Sequence, residues 1–96
     1  MSDFMNPEEL PIELREQYLE RRRKDVADGL NALSAADFFV LSKIGHQVRG
    51  NAASFGFDLL TPVASELEQA AQQKDLEKSR ELLNSFEVIL NEYRPV

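Results

Sequence analysis

The sequence predicts an all-α protein built as an antiparallel up-and-down four-helix bundle. Three observations predict it. Apolar residues recur at three- and four-residue spacing along most of the chain, β-branched residues are few and form no alternating run, and turn-forming residues fall where the apolar period lapses. Ninety-six residues with 43% apolar and 29% charged content suffice for one soluble domain with one core and are too few for two.

Residues 1–10 read as an irregular lead, because Asn6-Pro7-Glu8-Glu9 combines a breaker with a short helical signal. The domain proper is expected over 11–96. The first helix is expected from Pro11, which suits a first-turn position, to Leu33, with Leu14, Tyr18, Leu19, Val26, Leu30 and Leu33 as its apolar stripe and Gly29 as a local weakness. Ser34 reads as the N-cap of the second helix, with Asp37 three residues on reaching back, and Gly56 as the left-handed stop after Phe55. Its inner face is Phe38, Leu41, Ile44 or Gly45, Val48, Ala52 and Phe55. Asp58 is expected to cap a third helix running to about Gln73, where Pro62 is tolerated in or beside the first turn and Leu59, Val63, Leu67 and Ala70 or Ala71 face inward. Asp75 caps a fourth helix to Tyr93, burying Leu76, Leu82, Leu83, Phe86, Ile89, Leu90 and Tyr93, with Pro95 ending the chain. Connections of about two to five residues force consecutive helices to run antiparallel.

Composition removes several functional classes. A net charge of −6 argues against general nucleic-acid binding, which needs a basic face to neutralise phosphates. The run Arg21-Arg22-Arg23-Lys24 reads as a solvated, salt-bridged face, since Glu13, Glu16, Glu20, Asp25 and Asp28 lie within a turn or two. Without cysteine there is no disulfide, thiolate metal site or cysteine nucleophile. No apolar run approaches a membrane span and the N-terminus lacks a leader pattern, so a cytoplasmic protein that does not bind membranes is expected. No metal site, cofactor or nucleotide loop is expected either.

One histidine remains, His46, in the run Ile44-Gly45-His46-Gln47-Val48-Arg49-Gly50-Asn51-Ala52-Ala53-Ser54-Phe55-Gly56. Imidazole is a good nucleophile while largely neutral near pH 7, with an ordinary value of about 6.5. On a helix His46 lies roughly 140° from Leu41 and so outside the buried stripe, with Arg49 one turn on and Gly50 about 40° round from it. A lone helical histidine is ordinarily a solvated residue. Glycines at 45 and 50, each costing about 0.5–1 kcal/mol in a helix, need another reason, and Gly50 opens an approach to the imidazole. No Asp or Glu stands three or four residues from His46, which argues against acid–base and autokinase chemistry.

The segment His46-Gln47-Val48-Arg49-Gly50-Asn51-Ala52-Ala53-Ser54-Phe55-Gly56 resembles the signature of histidine phosphotransfer (HPt) domains: His, any residue, an aliphatic, Lys or Arg, Gly, small residues, then an apolar residue and Gly. Tyr18-Leu19-Glu20-Arg21-Arg22-Arg23-Lys24-Asp25 is similar to the opening helix of bacterial members, and Glu66-Leu67-Glu68 with Asp75-Leu76 resembles their passage from third to fourth helix. The resemblance spans roughly residues 11 to 93 and implies a phosphorelay intermediate. His46 would be phosphorylated, Arg49 would stand at the Lys/Arg position near the phosphoryl group, and Gly50 would keep the approach open. Arginine in place of the commoner lysine changes the geometry of charge neutralisation without removing it.

The resemblance further implies receiver domains of response regulators and a hybrid histidine kinase as partners, with Mg²⁺ held by the receiver. Docking candidates are Phe39, Ser42, Lys43, Ala53 and Phe57, joined by Leu60, and either Glu68 or Gln69 could orient the imidazole. The expected protein is a free-standing, monomeric phosphocarrier. Two alternatives stay open: an adaptor that binds a receiver or kinase without carrying phosphate, and the phosphoacceptor domain of a chemotaxis-type kinase, whose His-x-aliphatic-Lys-Gly pattern is similar.

Overall fold

A computed structural model describes residues 10–93 of the chain. Among the described residues four helices make up the architecture, α1 (Ile12–Ser34), α2 (Phe38–Asn51), α3 (Leu60–Gln72) and α4 (Leu76–Glu92), with a 3-10 turn at Ala53–Phe55 between α2 and α3. Each helix packs on the next and α1 closes the ring against α4, so the bundle encloses one core. No strand occurs among the described residues. The expected lead over residues 1–10 lies, but for Leu10, outside the described residues, as does Pro95.

The three connections share one device. After α1, the Asp37 amide donates to the Ala32 carbonyl and the Ala36 amide to the Leu33 carbonyl, with Ala36 at φ 51°. After α3, Asp75 bonds to Ala70 and Lys74 to Ala71, with Lys74 at φ 57°. At the end of α2, Phe57 bonds to Ala52 and Gly56 to Ala53, with Gly56 at φ 86°. Each is the paired-bond stop that satisfies the last carbonyls of a helix through one left-handed residue. After α1 and after α3, the residue following the left-handed one is an aspartate whose side chain caps the next helix, Asp37 on the Val40 amide and Asp75 on the Lys78 amide. Reversal and restart are thus compressed into three residues, and consecutive helices run antiparallel.

These details shift two expected boundaries. Ser34 closes α1, its hydroxyl donating back to the Leu30 carbonyl, and Asp37 alone caps α2. Asp58 does not cap α3. Because the Phe57 ring enters the core, the chain re-enters helix through backbone bonds, the Leu60 amide to the Phe57 carbonyl and the Thr61 amide to the Asp58 carbonyl, and Leu59 precedes the helix with no side-chain cap.

The centre of the bundle is Leu41, Val48, Leu60, Ala64, Leu67, Leu83, Phe86 and Leu90, each almost completely removed from solvent. Burying side chains of this size contributes about 1.5–3 kcal/mol each for the larger ones, which is what holds four amphipathic helices together. Leu14, Leu30 and Leu59, expected inside, are exposed. In α3 the inward phase is carried by Leu60, Ala64, Leu67, Ala70 and Ala71, with Val63 half-buried at its edge.

A second cluster is aromatic and pins the 3-10 turn to α1 and α4. Tyr18 stacks on Phe55 with ring centroids 4.4 Å apart, and Phe57 lies between Tyr18 and Tyr93 at 5.2 and 4.0 Å. The Tyr18 hydroxyl donates to Asn51 Oδ1, and the Tyr93 hydroxyl donates to the Gly56 carbonyl. Burial pushes both phenols above the ordinary tyrosine value. One cation of the basic run joins this cluster. Arg22 is buried, its guanidinium 4.6 Å from the Tyr18 ring centre and its Nε 2.7 Å from Asp25 Oδ2, so the run is not uniformly solvated. Desolvation still outweighs the neighbouring guanidinium at Asp25 and raises its carboxyl above the ordinary value.

Candidate functional site

His46 stands on the exposed side of α2, its side chain 62% accessible, while Leu41, Ile44, Gly45 and Val48 of the same helix point into the bundle. Gly45 is the reason α3 lies so close. A Cβ at that position would fall 2.6 Å from the Ala64 carbonyl oxygen and 2.7 Å from the Glu68 amide nitrogen, both backbone atoms of α3. The glycine therefore lets two helix backbones approach at the level of the histidine, and Glu68, four residues after Ala64, is carried to the imidazole.

The resulting contact is specific. Glu68 Oε2 lies 2.9 Å from His46 Nδ1, and Glu68 Oε1 lies 2.5 Å from Arg49 Nε. The Arg49 Nη2 is 3.3 Å from the same Nδ1. Nδ1 has one in-plane position and cannot both donate to the carboxylate and accept from the guanidinium. An ionised carboxylate only accepts, and its contact is the shorter, so in the neutral ring the proton belongs on Nδ1 and the lone pair on Nε2. Glu68 is mostly covered, 14% accessible, and Arg49 supplies its countercharge. Arg49 also lies in the last turn of α2, where a cation complements the helix dipole.

Gly50, by contrast with Gly45, has nothing within 4 Å of where a Cβ would stand. It floors a shallow open depression lined by Arg21, Arg22, His46, Gln47, Gly50 and Asn51, on the flank of α2 that faces α1. Packing does not demand this glycine.

Of the docking candidates, Phe39 is 78% exposed, Lys43 and Ala53 are exposed and Ser42 is half-exposed. Phe57 and Leu60 are core residues, 3% and 0% accessible, and present no surface to a partner. Helical spacing could not distinguish Phe57, because the residue lies in the turn between helices, where its ring is drawn in by Tyr18 and Tyr93. Of Glu68 and Gln69, it is Glu68 that reaches the imidazole; Gln69 is exposed. Arg21, on α1, also lines the depression beside His46, a site role that the sequence reading does not give it. Its signal was the basic run itself.

Among the described residues no group of three or more His, Cys, Asp or Glu side chains is placed to hold a metal ion, and no helix is long and apolar enough to cross a membrane.

A helical bundle presenting one solvent-facing imidazole, held through Nδ1 by a carboxylate and flanked by a cation, defines a histidine-presenting four-helix domain. Residues 13–94 match the family described as Hpt domain, and the chain belongs to that family, the histidine phosphotransfer domains of phosphorelays. No match was found among curated proteins or solved structures.

Proposed function

We propose that this protein is a phosphorelay intermediate, accepting a phosphoryl group on His46 from an aspartyl phosphate of one receiver domain and passing it to the aspartate of another. The observation that carries the reading is the Glu68–Nδ1 contact on an exposed imidazole, an arrangement in which the neutral ring offers Nε2 as the nucleophile.

In the forward step Nε2 attacks phosphorus, the Nε2–P bond forms as the P–O bond to the receiver aspartate breaks, and the aspartate departs as a carboxylate. Positive charge develops on the ring, and Glu68 stabilises it through the Nδ1 proton. Arg49 balances Glu68 and contributes its positive field to the ring from the Nδ1 side. Gly50 leaves room for a second protein surface to bring its phosphate within reach. The return step reverses these events. Mg²⁺ is a component of the receiver, which together with positioning supplies the rest of the catalysis. The phosphate donor is a receiver of a response regulator or of a hybrid histidine kinase, met in the cytoplasm by a monomer. Phe39, Ser42, Lys43 and Ala53 are the docking residues, and the domain makes no phosphate of its own.

Incubation with labelled phospho-receivers tests this. The expected product is an acid-labile, alkali-stable phosphoryl group on the wild type and none on His46→Gln. Label on His46→Gln would reject His46 as the acceptor, and no transfer from any receiver of the source organism would reject the carrier role.

A further inference from the structure

We propose that Arg21 of α1 is a phosphoryl-binding residue of this site, its guanidinium pairing with a phosphoryl group carried on His46 Nε2. The proposal rests on the reading of His46 as the phosphoacceptor.

The argument starts from the two sides of the ring. The two nitrogens of an imidazole point to nearly opposite sides, and Nδ1 is held on the α3 side by Glu68. Nε2 is therefore turned away from α3. On the α1 flank of α2 lies the depression that His46 shares with Arg21, Arg22, Gln47, Gly50 and Asn51, and Gly50 leaves its floor empty of side-chain atoms. A phosphoryl group on Nε2 brings a charge of roughly −1.5 to −2 and three acceptor oxygens, and a guanidinium can meet two of these at once.

Three arginines surround the histidine, and their circumstances differ. Arg49 is bound to Glu68 at 2.5 Å on the Nδ1 side, and moving it across the ring would leave a largely covered carboxylate without its countercharge. Arg22 is buried over the Tyr18 ring and paired with Asp25. Arg21 is exposed and forms no ion pair with any described carboxylate, its charge reaching Asp25 only at longer range. Of these three arginines it is the one able to turn toward Nε2 without breaking an ion pair of its own. This gives the basic run a use within a chain whose net charge is −6.

Phosphoramidate, a small donor that needs no docking surface, provides the test. The Nε2–P bond forms, the P–N bond of phosphoramidate breaks, ammonia leaves, and the Nδ1 proton stays on the ring against Glu68. Rates of His46 phosphorylation and the ³¹P titration of the product are measured for wild type, Arg21→Ala, Arg21→Lys and Arg23→Ala. Arg23→Ala makes the same change of net charge on the same helix, away from the histidine depression. Arg21→Ala is expected to slow phosphorylation about fivefold and to raise the pH at which the phosphoryl group titrates, because the cation favouring its dianion is gone. Arg21→Lys restores most of both effects. Arg21→Ala behaving like Arg23→Ala in rate and titration overturns the proposal while leaving His46 as acceptor. A wild type carrying no label on His46 overturns that reading and this one with it.

Discussion

Gly45 and Gly50 lie on either side of His46 on one helix and do unrelated work. At Gly50 a methyl group would find nothing within 4 Å beyond its chain neighbours and the backbone of its own helix, so packing cannot explain its absence. Glycine within a helix is less favourable than alanine by about 0.8–1 kcal/mol, and Gly50→Ala should therefore raise stability by about 0.5–1 kcal/mol. The same methyl would stand in the depression beside the imidazole, and phosphotransfer from a receiver is expected to fall by about tenfold or more. Denaturant midpoints measured beside transfer rates check this pair of opposite effects. A variant that is stabilised and fully active would show that no partner uses the space.

Among elements, the α2–α3 pair sets the site, and Gly45 sets the pair. Gly45→Ala forces a Cβ against backbone atoms of Ala64 and Glu68, which cannot move aside as a flexible side chain could. Overpacking of this kind costs about 1–3 kcal/mol, beyond what the gain in helix propensity returns. The variant should unfold at lower denaturant concentration and lose the Nδ1–Glu68 contact, seen as a change in the ¹⁵N tautomer signature of the sole histidine. An unchanged midpoint and signature would mean that the helices separate without cost.

The four helices and the exposed side of His46 were legible from apolar period alone, because that period follows from which face is buried. What was not legible turns on geometry between elements. Ala36 and Lys74 terminate helices in the left-handed conformation normally signalled by glycine, so the sequence points to Ser34 as the N-cap although Asp37 holds that place. Leu59 and Leu60 are adjacent leucines at a helix start. Only the turn that buries Phe57 decides that Leu60 faces inward. Glu68 and Gln69 were equal candidates until the approach of α3 allowed by Gly45 fixed which one meets the ring. The cations Arg21 and Arg22 differ by one residue and about 100°, enough to put one over Tyr18 and leave the other in solvent.

For the whole molecule, the aromatic cluster joins α1, the 3-10 turn and α4 at one end of the bundle, and it carries an alkaline limit on stability. Tyr18 is raised above the ordinary tyrosine value by burial, moderated by Arg22, and Tyr93 by burial and the nearby Asp58 carboxylate. A phenol whose value is raised in the folded state holds its proton more tightly there than in the unfolded chain. Its contribution is complete below the unfolded value of about 10 and is lost as pH rises from there through the folded value. Each ionisation would also remove a donor, to Asn51 in one case and to the Gly56 carbonyl in the other. Thermal midpoints between pH 8 and pH 11.5 are therefore expected to hold and then fall above about pH 10. Lysines titrate in the same range, so the comparison that isolates the tyrosines is with Tyr18→Phe/Tyr93→Phe. That variant should be less stable at pH 8, by about 1 kcal/mol for each lost hydrogen bond, yet show a shallower alkaline fall. Parallel alkaline limbs for the two proteins would assign the loss to other groups and detach these phenols from the stability of the bundle.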